Sequence, residues 1–325
     1  MLRRLARRAL QGVAIVWLVA TFTFVLVALA PGDVVDAMYD VTRVPEQVLA
    51  LRKAELCLDR GIVVRYGCWL RSVASGRFGN SLTQGRSVAS ALAAAIPNTL
   101  LLMGVALTAM FLVGIATGLV QAWRPNSRLD RIVGAISMLC YAMPDFWLGL
   151  ILLFVFSYRL SWFPTVGTHD PVLYAYGHAS VWQRIVDRLA HLALPVATFV
   201  LVSSAGIARY ERAALLDVLS QDYIRTARAK GASERRVLLH HAFRNALLPI
   251  VTLLGLNLPA LLGGAVLIET VFSWPGMGQL TTTAVAQRDY PLVIACVTAG
   301  SALVVVGSLL ADLLYAVVDP RVRSA

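Results

Sequence analysis

The chain has 325 residues, of which 58% are hydrophobic and 14% are charged, and its formal net charge is +11. A soluble domain carries about 25% charged residues, so this composition disfavours a soluble protein and favours one that resides in a membrane. The positive charge could suit a nucleic-acid partner, but the cations lie between long apolar runs, which indicates topology signals and no nucleic-acid partner.

Stretches without Lys, Arg, Asp or Glu predict the spanning helices. A transmembrane helix needs about 20 predominantly apolar residues, and the chain offers six such runs once the two halves around Asp145 are joined. The predicted spans lie near residues 10–30, 97–121, 133–158, 190–208, 246–268 and 291–311. Buried helices of a large soluble protein are the alternative, but six runs of this length exceed what a soluble core requires. We therefore predict an all-α membrane protein with six transmembrane helices.

The distribution of Arg and Lys predicts the orientation of these spans. The cations concentrate before the first span, between the second and third, between the fourth and fifth, and after the sixth. Short cytoplasmic loops carry an excess of Lys and Arg, so we predict both termini and the loop 213–245 in the cytoplasm, with the chain in the inner (plasma) membrane. The N-terminal run resembles a signal sequence but lacks a clear small-residue cleavage site, and we interpret it as retained.

About 65 residues follow the first span and predict a small external cap, too short for an independent substrate-binding domain. A charged, helix-like segment at 45–59 precedes the turn-rich sequence "SGRFGNSLTQGRS". Cys57 and Cys68 share this loop, where an oxidising compartment permits a disulfide; two unrelated thiols are the alternative. Cys140 and Cys296 fall in predicted spans, where we expect them only to pack.

Asp145 lies near the middle of the third predicted span. An ionisable group there is costly and is by default a functional candidate. Together with Pro144, Phe146 and Trp147, it is a candidate for lining a translocation pathway. The alternative is structural, because Asp145 follows Pro144 and can cap a helix that restarts after a kink.

The outer segment 269–290 contains "ETVFSWPGMGQL", in which Pro275, Gly276 and Gly278 disfavour a continuous helix. Broken backbone at membrane depth is tolerated only where it is buried in protein or lines a cavity. These three residues and Glu269 are therefore candidate functional residues of an external loop.

The chain carries no motif for nucleotide binding or hydrolysis. A Walker A loop needs Gly-Lys, and neither Lys53 nor Lys230 follows a glycine. The sequence also lacks H-E-x-x-H and G-x-S-x-G. We therefore predict a non-catalytic protein with no catalytic residue, cofactor or metal of its own. If it moves a solute uphill, the energy for that movement must come from a partner or an ion gradient.

The loop between the fourth and fifth spans contains "RTARAKGAS" at residues 225–233. Its composition predicts a helix from about Asp217 to Lys230, with Gly231 at the position after the helix end, where a left-handed conformation is needed. Ser233 is placed to N-cap a second helix that runs towards Asn245. Two short helices with small residues at the turn favour docking in a groove of another protein; a loop that only sets topology is the alternative.

This segment resembles the EAA loop of ABC importer permeases, in which a short coupling helix docks on an ATPase subunit. Arg225, Thr226 and Ala227 occupy the E-A-A positions, and Gly231 follows after three residues. The missing Glu and the more distant Leu248-Pro249 both look like the peptide-permease subgroup, whose loop reads close to "DYIRTARAKG…RNALLP". Further matches across the chain are "APGD", "FGNS", "PDFWLGL", "FPTVG", "HLALP", "ETVFSWPGMG", "RDYP" and "DPR".

The chain thus resembles the B-type permease subunit of a dipeptide or oligopeptide ABC importer, with the type I importer permease fold. This resemblance implies a first helix with its external loop (1–96), a five-helix core (97–318) and a short tail (319–325). It implies half of a peptide pathway, coupled through residues 217–249 to an ATPase. The implied coupling residues are Asp222, Tyr223, Arg225, Thr226, Ala227, Arg228, Ala229, Lys230, Gly231, Arg244, Asn245 and Pro249.

The implied partners are a second, C-type permease, two ATPase subunits that bind ATP and Mg, an external peptide-binding protein and membrane lipid. Nickel, glutathione and oligosaccharide importers use similar permeases, although the predicted spans lack a Met/His/Cys cluster that would favour a metal. An autonomous channel or ion-driven carrier is the other alternative, but it would need intramembrane charges, and only Asp145 lies near mid-span.

Overall fold

The computed structural model describes residues 2–29, 57, 59–81, 83–175, 179–262 and 266–318. Most of these residues are helical, and the only β contact among them is an isolated bridge between Asn80 and Ser87. Of the segment 45–59, predicted to be helix-like, only Cys57 and Asp59 fall within the described residues.

In chain order the helices are α1 (Leu2–Leu29), α2 (Ile62–Ala74), α3 (Val88–Trp123), α4 (Arg128–Ala142), α5 (Asp145–Leu152), α6 (Pro171–Ala175), α7 (Val181–Leu219), α8 (Asp222–Ala229), α9 (Glu234–Arg236), α10 (Phe243–Leu262), α11 (Val266–Val271), α12 (Met277–Ala286) and α13 (Tyr290–Val318). A π-helical segment extends α5 over Leu153–Arg159, and another joins α9 to α10 over Val237–Ala242.

The six predicted spans correspond to four continuous helices and two bent pairs. Long apolar segments of α1, α3, α7 and α13 can cross a membrane by length and composition. The third predicted span is not straight, since the axis turns by 104° between Arg128–Ala142 and Asp145–Arg159. The fifth bends by 44° between Glu234–Leu247 and Pro249–Pro259, where the Pro249 ring removes a helix hydrogen bond and crowds the preceding turn.

Helices α3 and α7 pack closely along their length and form the centre of the bundle. A Cβ added at Gly114 would lie 2.7 Å from Cβ of Ile207, and one at Gly118 would lie 2.7 Å from the carbonyl oxygen of Ala208. Small residues let helix backbones approach in a membrane, where lipid supplies no hydrophobic drive for association. Around this pair, α10 packs against α13, and α13 against α1.

Two elements differ from the sequence-based prediction. The helix predicted over 217–230 is divided, because α7 continues to Leu219 and α8 begins only at Asp222. The second predicted helix does not end near Asn245 but continues through the π-helical segment into α10. In the segment 269–290 the helix does break between Val271 and Met277, as Pro275 and Gly276 predict, and Met277–Ala286 then forms α12.

Candidate coupling and translocation site

Helix α8 is fixed to the bundle by one fully buried side chain, Ile224. This residue packs in a cluster with Ala122 of α3, Leu215 of α7 and Val237 of the π-helical segment. Burying an isoleucine side chain stabilises a structure by about 1.5–3 kcal/mol. The short helix is therefore held by hydrophobic contact with three different elements.

A hydrogen bond also connects α8 to the start of the fifth predicted span. The Nδ2 group of Asn245 donates to the hydroxyl of Tyr223 over 2.8 Å, and to the carbonyl of His241 over 3.3 Å. Both Tyr223 and Asn245 belong to the segment that resembles the peptide-permease loop. Their pairing gives α8 a polar attachment to α10 in addition to the apolar one.

The turn after α8 requires a glycine. Gly231 has φ +83°, and the N–H of Ala232 bonds to the carbonyl of Ala227 over 3.2 Å. The guanidinium of Arg228 donates to both carboxylate oxygens of Glu234, over 2.9 and 3.2 Å. The sequence reading missed Glu234 and assigned capping to Ser233, whose side chain forms no capping bond. Arg228 therefore closes the turn within the chain itself.

The face of α8 opposite Ile224 is exposed. Asp222, Arg225, Thr226 and Ala229 lie on it, and Arg225 contacts Asp222 over 3.4 Å with both side chains largely in solvent. Of the two alanines expected to allow close approach, Ala229 lies on this outward face. Ala227 is instead half-buried. Lys230, Arg244 and Pro249 are exposed near this face or beyond it.

A second polar contact joins the start of α4, and the connection that precedes it, to the C-terminal part of α7. Arg212 donates to both carboxylate oxygens of Asp130 over 3.0 and 2.8 Å, and the backbone N–H of Asn126 donates to the same carboxylate over 2.8 Å. Such bidentate pairs combine charge with fixed geometry. Three elements on the α8 side of the bundle are thereby joined.

The four pathway candidates lie at the sharp break between α4 and α5. The Asp145 carboxylate accepts a 2.8 Å hydrogen bond from the backbone N–H of Phe146, at a helix N-terminus that favours negative charge. Helical spacing places Asp145 on the face of α5 that carries the buried Leu148. Phe146 and Trp147 lie on the other face and are 41% and 46% exposed. The candidates therefore do not share one face.

At the end of α3 opposite α8, Glu269 is fully buried and organises the turn between α11 and α12. Its carboxylate accepts from the hydroxyl of Thr99 over 2.6 Å and from the backbone N–H groups of Gly278 and Gln279 over 2.7 and 3.1 Å. Burial raises the pKa of the Glu269 carboxyl, and the hydrogen bonds from Thr99, Gln279 and Gly278 act in the opposite direction. This carboxyl caps α12 and ties it to α3.

The glycines of this turn allow the backbone to approach Glu269. A Cβ at Gly278 would lie 2.6 Å from Cα of Val266 and 2.9 Å from Oε2 of Glu269, and a Cβ at Gly276 would overlap the same carboxylate. Trp274, fully buried, donates from its indole nitrogen to the carbonyl of Asn98 over 3.0 Å. The sequence motif is thus a packed corner and not an open loop.

Asp289 performs a similar role for the loop that is predicted to be external. It is fully buried and accepts from the hydroxyls of Ser81 and Thr83 over 2.6 and 3.0 Å and from the backbone N–H of Leu292 over 3.2 Å. The sequence "RDYP" indicated a family resemblance, but only the structure shows that its aspartate holds the loop. A disulfide joins Cys57 and Cys68 within the same predicted external loop, and Cys140 and Cys296 are free thiols.

Two family models match the chain. The binding-protein-dependent transport system inner membrane component matches residues 110–324, and the N-terminal part of the same kind of membrane component matches residues 1–103. The chain is 41% identical to an oligopeptide transport system permease protein of Bacillus subtilis, over 98% of both chains. It is 37% identical to a di/tripeptide transport system permease protein of Pseudomonas aeruginosa and 36% identical to an oligopeptide transport system permease protein of Mycobacterium tuberculosis, over 99% of each chain in both cases. The chain belongs to the family of binding-protein-dependent transport system inner membrane components.

Proposed function

We propose that this chain forms half of a translocation pathway for peptides in an ATP-driven importer and is moved by a separate ATPase through α8. The complex would contain a second permease, two ATPase subunits that hold ATP and Mg, and an external peptide-binding protein. Both termini and α8 would lie in the cytoplasm, as the short loops rich in Arg and Lys indicate. Support for peptides as the solute comes from the relatives, whose names describe peptide transport.

The observation that carries the coupling role is the contrast between the two faces of α8. Its inner face is fixed by Ile224 and by the bond between Tyr223 and Asn245, whereas its outward face is free in the described chain. A force on the outward face is therefore transmitted through the buried cluster to α3, α7 and α10. ATP binding would bias the spans between two arrangements, because the ATPase would contact α8 differently in each.

The test of this proposal adds bulk to the outward face without disturbing the fold. Ala229→Trp places a large side chain at an exposed position of α8, and Ala213→Trp makes the same change at an exposed position of α7. We expect Ala229→Trp to reduce the amount of ATPase that co-purifies with the complex, and Ala213→Trp to leave it unchanged. Equal retention by both variants and the wild type would overturn the docking role.

The solute is tested separately in vesicles that contain the whole complex. We expect ATP-dependent uptake of labelled di- to oligopeptides. ATP-dependent uptake of nickel, glutathione or an oligosaccharide in place of peptides would refute the solute and leave the coupling role intact. Uptake that persists without any ATPase subunit would instead indicate an autonomous channel or carrier.

A further inference from the structure

Helix α2 follows the disulfide-bonded Cys57 and has no fully buried residue, yet it is fixed to α1 by a cluster of side chains. The hydroxyls of Tyr66 and Thr21 lie 2.8 Å apart. The Phe24 ring packs against Tyr66 and Trp69, with ring centroids 5.3 Å apart in each case. These contacts place the middle of α2 against residues 21–24 of α1.

The contacts lie within the membrane-crossing part of α1. Thr21 precedes the end of the helix at Leu29 by eight residues, which corresponds to about 12 Å at 1.5 Å per residue. No charged residue occurs between positions 9 and 32, and Ala6–Leu29 is long and apolar enough to span a membrane. Helix α2 therefore lies beside the apolar run of α1 and not beyond its end.

The face of α2 that points away from α1 carries an apolar stripe. Val63, Gly67, Leu70 and Ala74 recur at intervals of four, three and four residues, which places them on one helix face. All four are exposed, and Val63 is 80% exposed. Since α2 contacts the apolar run of α1, its exposed apolar stripe lies beside a membrane-crossing segment, where lipid is the medium that matches it.

Aromatic and arginine side chains occupy the other faces of α2. The rings of Tyr66 and Trp69 pack on Phe24, and the Tyr66 hydroxyl is paired with that of Thr21, so that polar group enters the apolar layer with a partner. The Arg65 guanidinium lies over the Phe24 ring, 6.0 Å from its centroid, and Arg71 has a stem long enough to keep its charge near water while α2 lies in the apolar boundary. The disulfide between Cys57 and Cys68 requires an oxidising compartment, which agrees with the outer leaflet.

We propose that α2 is an interfacial anchor whose stripe, Val63, Gly67, Leu70 and Ala74, inserts into the acyl-chain boundary of the outer leaflet. The ligand of this surface is lipid. An external binding protein would approach from water, above the level of Thr21, and does not reach the stripe. This proposal requires only that α1 crosses the membrane, and it does not depend on which solute is transported.

The test measures how deeply α2 lies in a bilayer that contains the assembled complex. In a Cys140→Ala, Cys296→Ala background, which keeps the native disulfide, spin labels are attached at Val63→Cys and at Leu70→Cys. Leu18→Cys on α1, where the side chain is 57% exposed, is the lipid reference. Arg77→Cys, three residues after α2, is the water reference. Intact mass verifies the Cys57–Cys68 bond in each variant.

We expect labels at 63 and 70 to collide more often with oxygen, which dissolves in lipid, than with a water-soluble nickel chelate, as at position 18. The order should reverse at position 77. A nickel excess at 63 and 70 would show that the stripe faces water. Low collision rates with both reagents would show that a partner subunit covers it. Either outcome would overturn the anchor.

Discussion

Helix α8 is held by a hydrogen bond from Asn245 to the Tyr223 hydroxyl and by the buried Ile224 side chain, and removing the hydroxyl tests the first contact alone. Tyr223→Phe keeps the ring but leaves the Asn245 amide with only its longer bond to His241. A hydrogen bond of this kind contributes about 0.5–1.5 kcal/mol, too little to detach a helix that Ile224 also holds. We expect fewer peptides transported per ATP hydrolysed with normal ATPase retention, measured in vesicles.

Tyr210→Phe is the matched control, because Tyr210 lies 57% exposed on α7. It should leave the ratio of transport to hydrolysis unchanged. If Tyr223→Phe behaves in the same way, the bond to Asn245 has no role in coupling and Ile224 alone holds α8.

Replacing the buried Glu211 with an apolar residue should stabilise the folded protein. Its side chain is fully buried against Gly118, and neither carboxylate oxygen has a hydrogen-bond partner among the described residues. Leaving a buried polar group unpaired costs about 1–3 kcal/mol. Glu211→Met keeps the length of the side chain and removes its carboxylate. We therefore expect this variant to raise the thermal unfolding midpoint of the complex.

The control for Glu211→Met is Glu234→Met, which removes an exposed partner of Arg228. Exposed ion pairs contribute about 0–1 kcal/mol, so this variant should be neutral or slightly destabilised. A lower midpoint for Glu211→Met than for the wild type would show that the carboxylate gains a partner in the assembled complex.

At the scale of elements, the corner between α11 and α12 depends on backbone approach. Gly278→Ala introduces a Cβ 2.6 Å from Cα of Val266, where a backbone atom cannot move aside alone. Separating these segments also stretches the bonds from Gly278 and Gln279 to Glu269. Overpacking of this kind costs about 1–3 kcal/mol, and we expect a lower unfolding midpoint and a smaller yield of folded complex.

Gly104→Ala provides the comparison, because a Cβ there meets no atom within 4 Å and α3 is helical at that position. Alanine favours a helix over glycine by up to about 1 kcal/mol. The two substitutions should therefore act in opposite directions. Equal unfolding midpoints for both variants would mean that the corner relaxes more freely than its contacts indicate.

For the whole molecule, the features that could be predicted from the sequence are those that depend on composition and local pattern. Apolar runs of sufficient length located the spans, and Gly231 located the turn after α8, because each feature reports on its own neighbourhood. The contacts of Asp289 with Ser81 and of Glu269 with Thr99 join positions more than 160 residues apart. No periodicity encodes such pairs. The break at residues 220–221, between α7 and α8, was also missed, since neither Ser220 nor Gln221 is a proline or glycine that would mark a helix end.

A substitution at Gly231 tests whether movement of α8 is transmitted to the membrane-spanning helices. Its φ of +83° lies where a residue with a Cβ is strained by about 1–2 kcal/mol, although the space around it is empty. Gly231→Val should displace α8 while α3, α7 and α13 stay inserted, because insertion depends on their apolar lengths. We expect lost ATPase retention, or hydrolysis without transport. Gly61→Val, also in open space but with an ordinary φ of -57°, should change neither. Full retention and full transport by Gly231→Val would reduce the loop to a topology signal.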